Sequence, residues 1–152
     1  MKIQILLADS AETDVASGKV HALGIGWNIT TSPTPPAAII LLLNVAWGEC
    51  NRPFSIDVEL RDEDGNKAQT NTPAGLVPIY IHAEGEAGRP PGIKAGSDIR
   101  MPLSFTIGQG LVLTEGKRYE WKVVAKWKDS GEEISSASES FFVRAHTSTM
   151  AQ

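Results

Sequence analysis

Cysteine is nearly absent from this sequence, since Cys50 is the only one in 152 residues. A single cysteine excludes an internal disulfide framework, and such frameworks belong to oxidising compartments. We therefore expect a protein that is made and kept in the cytoplasm. A lone cysteine ordinarily packs as a small hydrophobe, so we assign Cys50 no catalytic role.

Long hydrophobic runs are missing as well. The longest apolar segment, residues 35–47, is too short to cross a bilayer and contains Asn44. The opening residues 1–12 have neither the long apolar centre nor the small-residue cleavage site of a secretory signal. We therefore expect no membrane partner and no secretory leader.

The chain has no excess of basic residues. Its formal net charge is −4, and it contains no run of lysine or arginine. Phosphate binding requires a basic face, so we expect no nucleic-acid partner.

Sequence motifs of catalysis and metal binding are also missing. The chain has no Gly-x-Ser-x-Gly elbow and no phosphate-binding glycine loop with its lysine. The three histidines are far apart and lack the paired spacing of a zinc site. An EF-hand loop needs glycine at its sixth position, whereas Gly65 is fourth from Asp62, so this stretch predicts a hairpin turn instead. We expect no catalytic residue, no cofactor and no bound metal.

What the sequence does contain is alternation of apolar and polar residues. The clearest example spans residues 118–128, in which five apolar residues alternate with residues that are charged except for Val124: Tyr119, Trp121, Val123, Ala125 and Trp127. A period of two is typical of a half-buried β-strand. Similar stretches recur, including one strand over residues 19–29, where Gly24 and Gly26 indicate a bulge or a close backbone approach.

About eight or nine such strands, with turns between them and no amphipathic helix, predict an all-β protein. The expected architecture is an antiparallel β-sandwich. The length of the chain indicates one domain, residues 1–146, followed by a flexible C-terminal tail, residues 147–152.

The segment before residue 119 carries a motif of its own. Leu113, Gly116 and Tyr119 have the spacing of a tyrosine corner, and they resemble the fibronectin type III version. In such a corner the tyrosine ring packs in the core, while its hydroxyl bonds to the backbone a few residues upstream. The motif indicates an immunoglobulin-like or fibronectin-III-like sandwich, and its role is structural.

Residues 37–47 are apolar on both faces of the predicted strand. One face has Ile39, Leu41, Leu43, Val45 and Trp47, and the other face has Ile40, Leu42 and Ala46. Two interpretations remain open. The second face is roofed by a loop of the same chain, or it is an apolar patch for a partner or a second copy.

The long irregular stretch, residues 84–98, is a second candidate surface. The sequence of Arg89, Pro90 and Pro91 predicts a rigid loop that projects from the surface and presents these residues. Long loops in compact domains are often functional. Together these features define the candidate partner surface: Ile40, Leu42, Ala46, Arg89, Pro90 and Pro91. Glu84 and Glu86 could serve as a carboxylate pair, but charge at a strand end is the better interpretation.

Several short motifs support a family resemblance. They are Leu-Ala-Asp at 7–9, Gly-Lys at 18–19, Leu-Gly-x-Gly-Trp at 23–27, Gly-Arg-Pro-Pro-Gly at 88–92 and Tyr-Glu-Trp at 119–121. With these motifs the chain resembles a family of small all-β proteins of unknown function from actinobacteria and their phages. The resemblance implies a bacterial or phage cytoplasmic setting, and it brings no activity, cofactor or catalytic residue.

Three functional hypotheses follow. The first is a non-enzymatic, intracellular β-sandwich that binds another protein or a second copy of itself. The second is an accessory module of a phage virion or tail. The third is a small hydrolase or ligand-binding sandwich that uses Glu84, Glu86, Arg89 or His82 around the long loop.

Overall fold

The computed structural model of the protein describes residues 1–147, so the predicted tail lies outside the described residues apart from Thr147. Within this range the chain forms twelve strands and one short 3₁₀ helix, Trp47–Glu49. The strands, in chain order, are β1 (Lys2–Ala8), β2 (Ser10–Thr13), β3 (Val20–Leu23), β4 (Ile29–Thr30), β5 (Ala37–Val45), β6 (Phe54–Asp62), β7 (Gln69–Thr72), β8 (Gly75–Pro78), β9 (Tyr80–Gly85), β10 (Ile99–Ile107), β11 (Arg118–Trp127) and β12 (Glu133–Val143). The predicted all-β class is confirmed. The predicted count of eight or nine is too low, because strands of two to four residues are too short to show alternation.

Two sheets form the sandwich. The smaller sheet has the strand order β1-β5-β10, and the larger one has the order β4-β12-β11-β6-β9. Neighbouring strands are antiparallel except for β4, which runs parallel to β12. Buried side chains from both sheets form one hydrophobic core. The hairpins β2–β3 and β7–β8 are separate two-stranded sheets.

The strand β5 lies at the centre of the three-stranded sheet and is apolar on both faces. Its inner-face side chains are almost completely buried: Ile39, Leu41, Leu43 and Val45. Ile40 and Leu42 alternate with them and lie on the outer face. The prediction that the strand reaches residue 47 is wrong at its end, because the chain turns at Ala46 into the 3₁₀ helix.

The strand β11 lies between β12 and β6, and Tyr119 stands at its beginning. The Tyr119 ring is buried and stacks on the Phe141 ring, with 6.0 Å between the ring centroids. Its hydroxyl oxygen accepts a hydrogen bond of 2.9 Å from the backbone N–H of Thr114, five residues upstream. Gly116 has a φ of 77° and donates its N–H to the carbonyl oxygen of Val143 at 2.8 Å. Tyr119 therefore joins the core to the segment that enters β11.

The predicted strand over residues 19–29 is wrong, since the chain divides it into β3 and β4. Gly24 and Gly26 have φ values of 68° and 99°, in the left-handed region that interrupts a strand. The close approach at Gly24 is made by a side chain rather than by the backbone, because a Cβ there would lie 2.1 Å from a carboxylate oxygen of Asp9. The glycines therefore end β3.

The turn after β6 has the predicted hairpin chemistry. Gly65 donates its N–H to the carbonyl oxygen of Asp62 at 3.0 Å, and Asp62 Oδ1 accepts the N–H of Asn66 at 2.9 Å. After the turn, Lys67 bridges back to Arg61 and Ala68 donates its N–H to the carbonyl oxygen of Leu60 at 2.8 Å, and β7 then pairs with β8.

Candidate functional site

The hairpin β2–β3 crosses the outer face of the three-stranded sheet. At its base, Asp9 donates its N–H to the carbonyl oxygen of Leu23, and Gly26 donates to that of Leu7, both at 2.9 Å. At its other end, the hydroxyl groups of Thr13 and Ser104 share a hydrogen bond of 2.8 Å. The hairpin contacts β5 and β10. It therefore forms a roof over part of the sheet.

This roof covers the outer face of β5 incompletely. Ile40 is 3% exposed, whereas Leu42, the next residue on the same face, is only partly buried. The first interpretation of the two-faced strand, a roof from the same chain, thus applies to Ile40. Next to Leu42, the outer face of the sheet remains accessible to solvent.

The open part of this face is a groove of about 950 Å³, which we call the hairpin groove. Its floor consists of side chains from the sheet: Leu6, Ile40, Leu42 and Pro102. Its wall is the hairpin and the turn that follows it, residues 10–12, 19–23 and 25. Two apolar side chains of the wall remain in solvent, Leu23 at 73% and Ile25 at 54% exposure. The groove is therefore an aliphatic surface with polar groups only on its hairpin side.

The other half of the predicted partner surface lies elsewhere. The guanidinium carbon of Arg89 is 4.3 Å from the centroid of the Trp47 ring, and its Nη2 donates to the Trp47 carbonyl oxygen at 2.6 Å. Pro90 and Pro91 are exposed beside it. Ala46 directly follows β5, and its carbonyl oxygen accepts the N–H of Glu49 at 2.9 Å. The structure thus places Ile40 and Leu42 together in the hairpin groove, and it does not bring Arg89, Pro90 or Pro91 to them.

The residues that sequence reasoning missed are those of the hairpin wall. The prediction of one strand over residues 19–29 included both Leu23 and Ile25, whereas β3 ends at Leu23 and Ile25 lies between two glycines with left-handed φ values. The glycines at 24 and 26 were the available signal. The two glycines indicated an interruption of the strand, but the direction that the chain takes after them depends on contacts with distant segments.

A chain of polar side chains lies on the outer face of the five-stranded sheet, which we call the His82 network. Asp57 Oδ1 accepts a hydrogen bond from the Tyr80 hydroxyl, and it lies 2.7 Å from His82 Nδ1. His82 Nε2 is 3.5 Å from Glu84 Oε1, and Lys128 Nζ is 2.9 Å from Glu84 Oε2. Antiparallel pairing of β6 with β9 places Asp57 opposite His82. The network is therefore a product of strand register.

The surroundings of His82 favour its charged form. The hydrogen bond to Asp57, followed by that to Glu84, raises the pKa of His82. Burial raises the pKa of Asp57, but the hydrogen bonds from His82 and Tyr80 outweigh it and leave that pKa lowered. All five side chains are at least partly exposed, so we interpret the network as a solvated surface arrangement.

We expect stability to depend on pH through His82. Its pKa is higher in the folded chain, so the stabilising contribution is complete below the unfolded pKa of about 6.5 and disappears as the pH rises through the folded pKa. An NMR titration of the His82 ring should give a lower pKa in Asp57→Asn than in the wild type. An unchanged His82 pKa in that variant would show that Asp57 does not stabilise the imidazolium.

Comparisons with known proteins give no match that would identify a site on this chain. No protein-family model matches the chain, and no curated protein has significant similarity to it in sequence. Among residues 1–147, no cluster of three or more His, Cys, Asp or Glu side chains could hold a metal ion. Helices long and apolar enough to cross a membrane do not occur in the same range. The hairpin groove and the His82 network are the arrangements that contain the predicted site residues Ile40, Leu42, His82 and Glu84.

Proposed function

We propose that the protein is a non-enzymatic β-sandwich that binds another protein through the hairpin groove. The observation that supports this proposal is the exposure of Leu23 and Ile25 next to the open floor at Leu42. Single exposed apolar residues are ordinary, but a contiguous apolar surface marks an interaction site. Covering such a surface contributes roughly 25 cal/mol per Å² of apolar area.

The chemistry of the groove favours apolar side chains of a protein segment as the ligand. Its floor is aliphatic, and its polar residues are on the hairpin: Ser10, Glu12, Lys19 and His21. A site for a small polar molecule would need several polar groups that converge on one point. The groove is instead a long aliphatic surface with polar groups at one side, as in the interfaces that bind protein segments.

The strand order supports an immunoglobulin-like or fibronectin-III-like sandwich. If the two hairpins and β4 are set aside, the sheets contain the first, second and fifth strands and the third, fourth, sixth and seventh strands. Tyr119 stands at the beginning of the sixth of these, where such sandwiches have their tyrosine corner. This architecture serves many unrelated functions, so the groove rather than the fold supports the binding role. We also propose the bacterial or phage cytoplasmic setting that the resemblance of the sequence motifs implies.

Leu42→Asp tests the proposed function. Peptides selected from a random library on the wild-type protein should carry apolar residues at alternate positions. Their affinity for Leu42→Asp should be at least about tenfold lower, because a carboxylate replaces apolar contact on the groove floor. Isothermal calorimetry with a selected peptide measures the difference.

The matched control is Val112→Asp, since Val112 is 74% exposed and does not line the groove. This control should bind the selected peptide with wild-type affinity. If Leu42→Asp retained full affinity while keeping its thermal stability, the hairpin groove would not be the binding surface.

A further inference from the structure

We infer that the hairpin groove is a contact surface between two copies of this chain, related by a twofold axis that places their β3 strands side by side. This inference rests on the proposed function and names the partner. Three features of the described residues support it, namely the shape of the surface, a free strand edge and the position of two charges.

The shape of this surface is self-complementary. The hairpin projects from the sheet with Leu23 and Ile25 exposed, and the groove lies directly beside it over Leu42. A projection next to a depression of the same chemistry fits its own copy after a twofold rotation. Each hairpin then occupies the other groove, which is the isologous contact of a twofold dimer.

The strand β3 has a free edge at this surface. The hairpin is a two-stranded sheet, and within residues 1–147 β3 pairs only with β2. Every residue from Lys19 to Leu23 lines the groove, so the strand runs along it. An unpaired edge readily adds another strand. Antiparallel pairing with its own copy would give a four-stranded sheet, β2-β3-β3-β2, across the two molecules.

The edge of β10 is less suitable for this purpose. It is the outermost strand of the three-stranded sheet on that side, but Pro102 occupies its middle portion. Proline has no N–H to donate, and it protects an edge strand from pairing. The four residues of β3 contain no proline.

Opposite charges lie at the two ends of β3, so they would face each other when the β3 strands of two copies pair in antiparallel orientation. Lys19 directly precedes the strand, and the carboxylate of Asp9 lies against Gly24, directly after it. Neither Lys19 nor Asp9 takes part in an ion pair within residues 1–147. Antiparallel β3 strands bring Lys19 of one copy beside Asp9 of the other, twice per dimer. The twofold arrangement thus supplies partners for both charges.

Sedimentation velocity over a concentration series tests the inference. The wild type should show a reversible monomer–dimer equilibrium, and a weak one, because the groove and hairpin form a small interface. Lys19→Asp and Asp9→Lys should each weaken the dimer by about tenfold, since each places like charges at both contacts. Lys94→Asp, an exposed charge reversal on the long loop, should leave the equilibrium unchanged.

Mixing the two variants gives the decisive result. In a heterodimer of Lys19→Asp with Asp9→Lys, both contacts again join opposite charges, so an equimolar mixture should dimerise about as well as the wild type. Thermal melts of each variant verify that both remain folded. A mixture that dimerises no better than its components would overturn the twofold arrangement.

A wild type that stays monomeric at every concentration would also overturn it. If peptide binding through Leu42 persisted in that case, the proposed function would stand with another protein as partner. If neither dimerisation nor peptide binding occurred, both the partner and the proposed function would be wrong.

Discussion

Replacing Leu41 by alanine is expected to destabilise the fold by about 2–5 kcal/mol, because it leaves a cavity in the core between the two sheets. Leu41 is 0% exposed and lies on the inner face of β5. The same change at Leu42 should cost about 1 kcal/mol or less, since that side chain is partly solvated on the outer face. The two residues are adjacent and chemically identical. The difference between the two losses of unfolding free energy therefore measures the contribution of burial between the sheets.

Urea unfolding of the two variants provides this comparison. Both should retain the wild-type m-value, because the surface exposed on unfolding is nearly the same. Equal losses of unfolding free energy in the two variants would mean that the hairpin buries Leu42 as completely as the two sheets bury Leu41. That result would remove the open floor on which the proposed binding function depends.

Tyr119→Phe is expected to lower the free energy of unfolding by about 1–3 kcal/mol, because the partly buried N–H of Thr114 loses its acceptor. The ring itself remains, so its stacking on Phe141 should be preserved. Only Tyr80 is available as a matched control, since the chain has two tyrosines. Tyr80 lies on the surface, and Tyr80→Phe should change stability by no more than about 0.5 kcal/mol.

Thermal unfolding followed by circular dichroism would rank the two tyrosine variants. Hydrogen exchange of the Thr114 amide gives a second measurement, because the loss of its acceptor should increase the exchange rate at that position. If Tyr119→Phe and Tyr80→Phe were equally stable, the tyrosine hydroxyl would contribute nothing to the attachment of the segment before β11.

The long strands could be predicted because each is a local pattern. Residues 118–127 alternate at every position except Val124, and the apolar residues Trp121, Val123 and Ala125 are buried in the structure. The two-faced character of β5 was also visible, because apolar residues on both faces, with Asn44 as the one polar exception, predict a strand covered on both sides. The hydrogen bond of Tyr119 is similarly local, since its partner is five residues away.

The candidate site could be predicted only in part, because its other half is distant in sequence. The floor residues Ile40 and Leu42 could be predicted, because the two-residue period of a strand places them together on its second apolar face. Leu23 and Ile25 were placed on a strand that does not exist in that form, and nothing local shows that the hairpin folds onto β5 and β10. The His82 network has the same origin, since Asp57 and His82 meet through the register of β6 with β9.

The sequence by itself determined the all-β class, the long strands and the burial of one face of each, because the alternation of apolar and polar residues is a pattern of neighbouring positions. The tertiary structure alone decided which part of the outer face of β5 is covered. That outcome depends on where Gly24 and Gly26 turn the chain and on contacts such as Thr13 with Ser104, which are 91 residues apart. Covering Ile40 while leaving Leu42 open is therefore a property of packing between distant segments, and it produces the groove that we propose as the binding surface.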